Sequence, residues 1–442
     1  MTILNRDEAR TILKKVISMS EADSCEANLD GSRSGNIRYA RNSVSTAGIT
    51  QDVDLVVQCN FGKQVGVATI NEFDDDSLNK VVKRAEETAR LAPESPEFMP
   101  VLGPQKYASS NAFVDDTAVI EPAYRADAAA ASIGPAKKSD ATAAGFLTDT
   151  ASFSAMMNSE GLFAYHTETN VNFTVTVRTD DGTGSGWATA DDNDVRRIDT
   201  AATSEVALQK ALASREAKAL EPGKYTVILE PDAAGQLIGR MFFGFDARQA
   251  AEGRSFLSKK GGGTRMGEQV FDERISAYSD PLDTRVPTAT WDGAGQPLNK
   301  LDIIKNGVVE NMFYSRYWAA QEDVASVPQP SNLIMVGGDK SQAELIKNTE
   351  RGILVSRLWY IRGLDPQTQL YTGLTRDGTF YIEDGEIKYP VKNFRFNESP
   401  VIMLNNLDEL GQSKRINLFG LPVVMPCMRV NEFTFSSLSD AV

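Results

Sequence analysis

Val171-Asn172-Phe173-Thr174-Val175-Thr176-Val177-Arg178 alternates apolar and polar residues without a break. Successive side chains of a strand point to opposite faces, so the odd-numbered positions predict a buried face and the even-numbered ones a wet face. A half-buried strand of this kind belongs in an antiparallel sheet. Asp180-Asp181-Gly182 reads as its turn, leading to another strand over 185–190. Toward the N-terminus, strand-like runs cover 25–29, 37–46, 52–59 and 62–70, with a turn at Phe61-Gly62-Lys63. Leu78, Val81, Val82, Ala85 and Ala89 recur at helical spacing behind an acidic start, predicting a helix over 74–91 that Pro93 and Pro96 end. Further helices are expected over 7–19, 122–131 and 199–219, and a long crossing loop over 93–120.

Toward the C-terminus, Glu221-Pro222-Gly223 is the predicted domain boundary. A buried strand over 225–230 and a short helix over 233–245 follow. Many short strands come next, separated by Gly, Pro and Asp. Asp377-Gly378 and Asp384-Gly385 sit between alternating runs and predict hairpin turns, as does Asn306-Gly307. The expected fold is α+β in two domains. Residues 1–220 form an N-terminal domain with an antiparallel sheet and helices, and residues 221–442 a strand-rich C-terminal domain.

The 442 residues carry 46 basic and 60 acidic side chains, a net charge of −14. Binding duplex DNA depends on neutralising phosphates with Lys and Arg, so direct nucleic-acid binding is not expected, nor is binding to an anionic membrane. Cys25, Cys59 and Cys427 do not read as a disulfide framework. The N-terminal Met1-Thr2-Ile3-Leu4-Asn5-Arg6-Asp7-Glu8 lacks the apolar core of a signal peptide, and no apolar run is long enough to span a membrane. A cytoplasmic location is expected.

His166 is the single histidine, which excludes any mechanism needing two histidines from this chain. No nucleophile motif surrounds it, and it reads as an ordinary strand histidine. The glycines at 182–186 and 261–263 match neither phosphate-loop pattern and read as a hairpin loop and a mobile loop. Asp74-Asp75-Asp76 reads as a helix start, and Asp191-Asp192 and Glu383-Asp384 as solvated turn acids. Ser77-Leu78-Asn79-Lys80 is a chance S-x-x-K match, and Cys427 reads as core. The aromatic segments Met312-Phe313-Tyr314, Tyr317-Trp318 and Leu358-Trp359-Tyr360 read as core first and as interface second. No catalytic residue and no metal ligand is assigned.

The segment from Thr226 to Gly244, Thr-Val-Ile-Leu-Glu-Pro-Asp-Ala-Ala-Gly-Gln-Leu-Ile-Gly-Arg-Met-Phe-Phe-Gly, resembles the central region of the TldD/PmbA family, which is also named for a proposed modulation of DNA gyrase. Blocks at 259–268, 292–317, 351–355, 380–392 and 423–433 continue the resemblance in order, and Tyr39-Ala40-Arg41-Asn42-Ser43 fits it more loosely. Family members of one kind carry H-E-x-x-x-H on the central helix. Its histidines hold zinc and its glutamate can act as a base on water. Those positions fall here on Gly239, Arg240 and Gly244, which offer no zinc ligand and no base. The chain is therefore similar to the second kind, the PmbA (TldE) type.

The resemblance implies a non-catalytic subunit of a cytoplasmic zinc metallopeptidase complex that processes or degrades unfolded or leader-type peptides. This chain is expected to be inactive alone and to hold no cofactor, with zinc only in the partner. The partners expected are a TldD-like zinc-bearing paralogue, in a homo- or hetero-dimer, and a peptide substrate. Two alternatives stand beside this: a stand-alone peptide-binding homo-oligomer without catalysis, and a regulator linked to DNA gyrase.

Overall fold

The computed structural model describes residues 3–439; Met1 and Thr2, which open the segment read above for a signal peptide, lie outside it. The first half runs α1 (Arg6–Met19), β1 (Ser24–Ala40), β2 (Ser43–Phe61), β3 (Gln64–Ile70), α2 (Asp75–Leu91), a short α3 (Asp115–Ala118), α4 (Pro122–Lys138), β4 (Ala141–Asn158), β5 (Phe163–Thr179), β6 (Ser185–Asp192) and α5 (Thr200–Ala213). Its six strands form one antiparallel sheet in the order β3-β2-β1-β4-β5-β6.

The alternation read from Val171–Arg178 sets the two faces of this sheet. Val171, Phe173, Val175 and Val177 are buried, and so are Cys25, Ala27, Leu29, Ile37 and Tyr39 of β1. Helices α1 and α2 cover one end of this apolar face and α4 and α5 the other. Asp74 caps α2 by accepting the amide of Ser77. Three sequence expectations fail here, the first being the helix expected over 199–219, which ends at Ala213. The run 37–46 is not one strand: Arg41 and Asn42, both at positive φ (51° and 56°), turn the chain back between β1 and β2. The helix expected over 122–131 runs on to Lys138, with Pro135 inside it.

The second half runs β7 (Gly223–Leu229), α6 (Pro231–Met241), α7 (Ala247–Ala251), β8 (Ala277–Ser279), β9 (Leu301–Lys305), β10 (Val308–Val309), α8 (Arg316–Gln321), β11 (Leu333–Met335), α9 (Gln342–Lys347), β12 (Arg351–Asp365), β13 (Leu370–Glu383), β14 (Glu386–Pro390), β15 (Phe394–Glu398), α10 (Pro400–Asn405), β16 (Leu407–Leu418) and β17 (Leu421–Leu438). Its sheet is strand-rich and mixed. β17 pairs with β15 and with β7, so β17, β15, β13, β12 and β7 close into a ring, while β10, β14 and β16 each pair with a single strand. Helix α6 packs on β12, β16 and β17. Asp384-Gly385 and Asn306-Gly307 make the expected turns. Asp377-Gly378 does not. β13 runs straight through it, and the pair forms a bulge opposite Ser356, between the Val355–Thr379 and Arg357–Arg376 pairs.

The polar face of the first sheet is turned toward the second half rather than wholly to water. Arg415 of β16 reaches it and donates to Asp191 Oδ1 at 3.0 Å and to Asn193 at 2.6 Å. Lys210 of α5 meets Glu230, at the head of α6, at 2.7 Å. Among the described residues no helix is long and apolar enough to cross a membrane.

Candidate functional site

Helix α6 and the short 3-10 turn after it carry the positions that the resemblance singles out. Gly235 and Gly239 lie one turn apart on one face and make a groove for alternate side chains of β16. A Cβ at Gly235 would stand 2.5 Å from Ile416 Cδ1, and one at Gly239 would stand 2.0 Å from Leu418 Cδ2. Both leucine and isoleucine are buried. Gly244, in the short 3-10 turn after α6, is equally enclosed. A Cβ there would lie 2.9 Å from Phe256 and from Gln369. Of the three positions only Arg240 faces open space. It lines a cleft of about 340 Å³ with Gln236 and residues 357–362 of β12. Arg240 donates to Gln236 Oε1 at 3.1 Å, and its guanidinium lies 4.7 Å from the centre of the Phe419 ring. Burial pulls its pKa below the ordinary arginine value.

Zinc needs three or four nitrogen, sulfur or oxygen donors around one point. Gly239 and Gly244 supply none and have no room to, and among the described residues no three His, Cys, Asp or Glu side chains gather as a metal site would require. The residues on and around α6 do not fit the ion, and no step through it follows for this chain.

The other sequence candidates are scattered. His166 is on β5, 3.4 Å from Glu168. Gly182 and Gly184 lie in the β5–β6 turn and Gly186 in β6 itself, and the 261–263 glycines form a loop at positive φ. Cys25 and Cys59 face each other across β1 and β2 with sulfurs 3.8 Å apart, and Cys427 is buried in the core. Met312 and Phe313 are core, whereas Trp359 and Tyr360 are exposed at 41% and 55%.

Two acids that matter were not singled out for their positions. Asp191 is no solvated turn acid. It is buried at the end of β6 and accepts from Arg415, Asn170, Asn172 and Asn417. Asp377, in the β13 bulge, accepts from Arg357 at 2.8 Å and from Ser185 of the first sheet at 2.6 Å. An Asp-Gly pair signals a turn, but only the pairing partner β12 reveals a bulge.

Asp232, in the first turn of α6, is the most perturbed carboxyl with a bearing on stability. Burial pushes its pKa up from 3.8 to about 6; Lys414, Lys210 and Arg357 oppose this and Glu230 adds to it. The folded state thus holds this proton more tightly than the unfolded chain. Stability from this group is full below about pH 4, falls as pH rises toward 6, and stays lowered above that. At about 1.4 kcal/mol per pKa unit the loss is roughly 2–3 kcal/mol. Asp232→Asn is therefore expected to be more stable than the parent by about 2 kcal/mol at pH 8, with the difference closing near pH 4. Urea unfolding at both pH values measures this, and a variant less stable at pH 8 contradicts it.

Residues 25–89, 111–215 and 222–437 match, in order, the PmbA/TldA metallopeptidase domain 1, central domain and C-terminal domain. The chain belongs to the PmbA/TldD family. A metalloprotease of Methanothermobacter thermautotrophicus is 25% identical over 294 residues, a match spanning 61% of this chain and 62% of that protein. The fold is shared with TldE of Thermococcus kodakarensis (TM-score 0.85, 18% identity, 97% of this chain and 99% of that one). It is also shared with a proposed modulator of DNA gyrase from Thermotoga maritima (TM-score 0.86, 16% identity, 97% and 100%).

Proposed function

We propose that this chain is the non-catalytic, PmbA/TldE-like subunit of a cytoplasmic metallopeptidase complex acting on unfolded or leader-type peptides. The observation that carries this reading is the packing of α6. At the positions where the resemblance puts the ligand histidines of the zinc-bearing kind, this chain has two glycines whose space is filled by Leu418, Phe256 and Gln369. A chain that keeps the family architecture while filling that space with core has use for the fold other than metal catalysis, and a paralogue with H-E-x-x-x-H would supply the zinc and the base. The test mixes the two purified chains. Light scattering should give a joint species, and hydrolysis of an unfolded peptide should exceed that of either chain alone by at least tenfold, about 1.4 kcal/mol of barrier. Two chains that stay separate with no gain in hydrolysis would refute the reading.

A further inference from the structure

Three cavities adjoin one another, two of them between the two halves of the molecule and one within the second half, and arginines line all of them. The first, about 480 Å³, lies against the polar face of the N-terminal sheet and contains Arg38 and Arg357. The second, about 660 Å³, shares Ala40, Ala144, Thr176 and Arg357 with it and adds Arg41, Arg178 and Arg376. The third is the cleft at α6, which shares Arg357 and Trp359 with the second and adds Arg240 and Arg362. Among the described residues only two carboxylates, Asp180 and Asp377, line the same space. Asp377 is already engaged by Arg357 at 2.8 Å and Arg376 at 3.8 Å. In a chain of net charge −14, this is a concentrated excess of positive charge.

The arginines are also held in place. Arg357 stacks over Trp187 at 4.5 Å, Arg376 over Trp359 at 4.1 Å and Arg362 over Tyr360 at 4.5 Å. Stacking fixes the plane of each guanidinium, so a donor edge not already turned to Asp377 or to a backbone carbonyl loses little freedom on binding a ligand. The bulge in β12 between Trp359 and Arg362, with Tyr360 at φ 52°, points this stretch into the cleft. Arg41 occupies the first left-handed position of the β1–β2 turn, where Asn or Gly is the usual residue. Arg38 and Arg41 have no acidic partner among the described residues.

We infer that this cleft is a binding site for an acidic peptide segment, whose carboxylates the arginines take as charge-assisted, in part bidentate, hydrogen bonds. A nucleic acid suits it less. Trp187, Trp359 and Tyr360 already have guanidiniums over them, which leaves Phe146 as the exposed ring of the lining without one, and the overall negative charge opposes a dense polyanion more than a short peptide. That the anion belongs to a peptide rests on the peptidase-subunit reading. The preference for carboxylates does not, and the binding test uses this chain alone, so it can fail or succeed independently of the mixing experiment.

The test is fluorescence anisotropy of the full chain with labelled peptides of alternating Glu and Ala, Lys and Ala, or Ser and Ala, at about 0.15 M salt. The Glu peptide should bind and the other two should not. Arg38→Glu and Arg41→Gly together should weaken binding by about tenfold or more, the loss expected for one charge-assisted bond. Glycine suits the turn at 41, so the variant's unfolding midpoint should not fall. Arg357 is left intact because removing it would strand buried Asp377. Equal binding of all three peptides, unchanged affinity in the variant, or displacement of the Glu peptide by an equimolar thymidine oligonucleotide would each overturn the inference.

Discussion

The triple variant Gly239→His, Arg240→Glu, Gly244→His is expected to lose about 2–6 kcal/mol of stability and to gain no tightly bound zinc. Replacing a glycine inside a helix normally gains roughly 0.5–1 kcal/mol. Here that gain is overridden. A side chain at 239 must displace buried Leu418, and one at 244 must displace Phe256 and Gln369. Overpacking a close-packed interior costs about 1–3 kcal/mol at each site. Arg240→Glu also removes the cation from Phe419 and sets a carboxylate where burial already disfavours charge. A domain of ordinary stability, about 5–15 kcal/mol, would be brought near its unfolding threshold. Urea unfolding and elemental analysis decide it. A variant with the parent's midpoint and one zinc per chain would show that the space around α6 is far softer than its packing indicates.

What the sequence made legible follows from how local each signal is. The buried and polar faces of β5 are a period-two pattern within one strand, and helix α2 announces itself by Asp74 and its apolar stripe. The family resemblance assigns the metal-motif positions to Gly239, Arg240 and Gly244, and the lack of a ligand atom at the two glycines is a matter of residue type. The packing of Gly235 and Gly239 against Ile416 and Leu418 could not be read, because the partners lie far along the chain. The turn at Arg41-Asn42 was missed because arginine is an unusual residue for a left-handed position. Asp377-Gly378 looked like a turn and is a bulge, since its conformation depends on register with β12. The arginine cleft was illegible for the same reason: Arg38, Arg178, Arg357 and Arg376 are scattered in sequence and are assembled only by docking the two halves.

Asp191→Ala is expected to cost about 3–5 kcal/mol, the loss typical when one partner of a buried ion pair is removed. The Asp191 side chain is wholly buried and that of Arg415 is 9% exposed, so water cannot replace the missing carboxylate. The side-chain amides of Asn170, Asn172 and Asn417 lose an acceptor at the same point. The consequence is directional, because Arg415 and Asn417 belong to β16 whereas Asp191 belongs to β6. The loss falls on the contact between the N-terminal sheet and the second half. Lys414 keeps its bond to Thr189 O at 3.1 Å, and Lys210 keeps Glu230, so the two halves remain tethered but less firmly. Limited proteolysis of the variant should therefore cut faster near 193–222 than in either sheet. Glu432→Ala is the control. Its partner Lys224 is 3.0 Å away, but both side chains are more than 60% exposed, and such a surface pair contributes about 0–1 kcal/mol. Equal losses in the two variants, measured by urea unfolding, would mean that Asp191 is not the linchpin of this contact and that the apolar cores on either side hold the halves together without it.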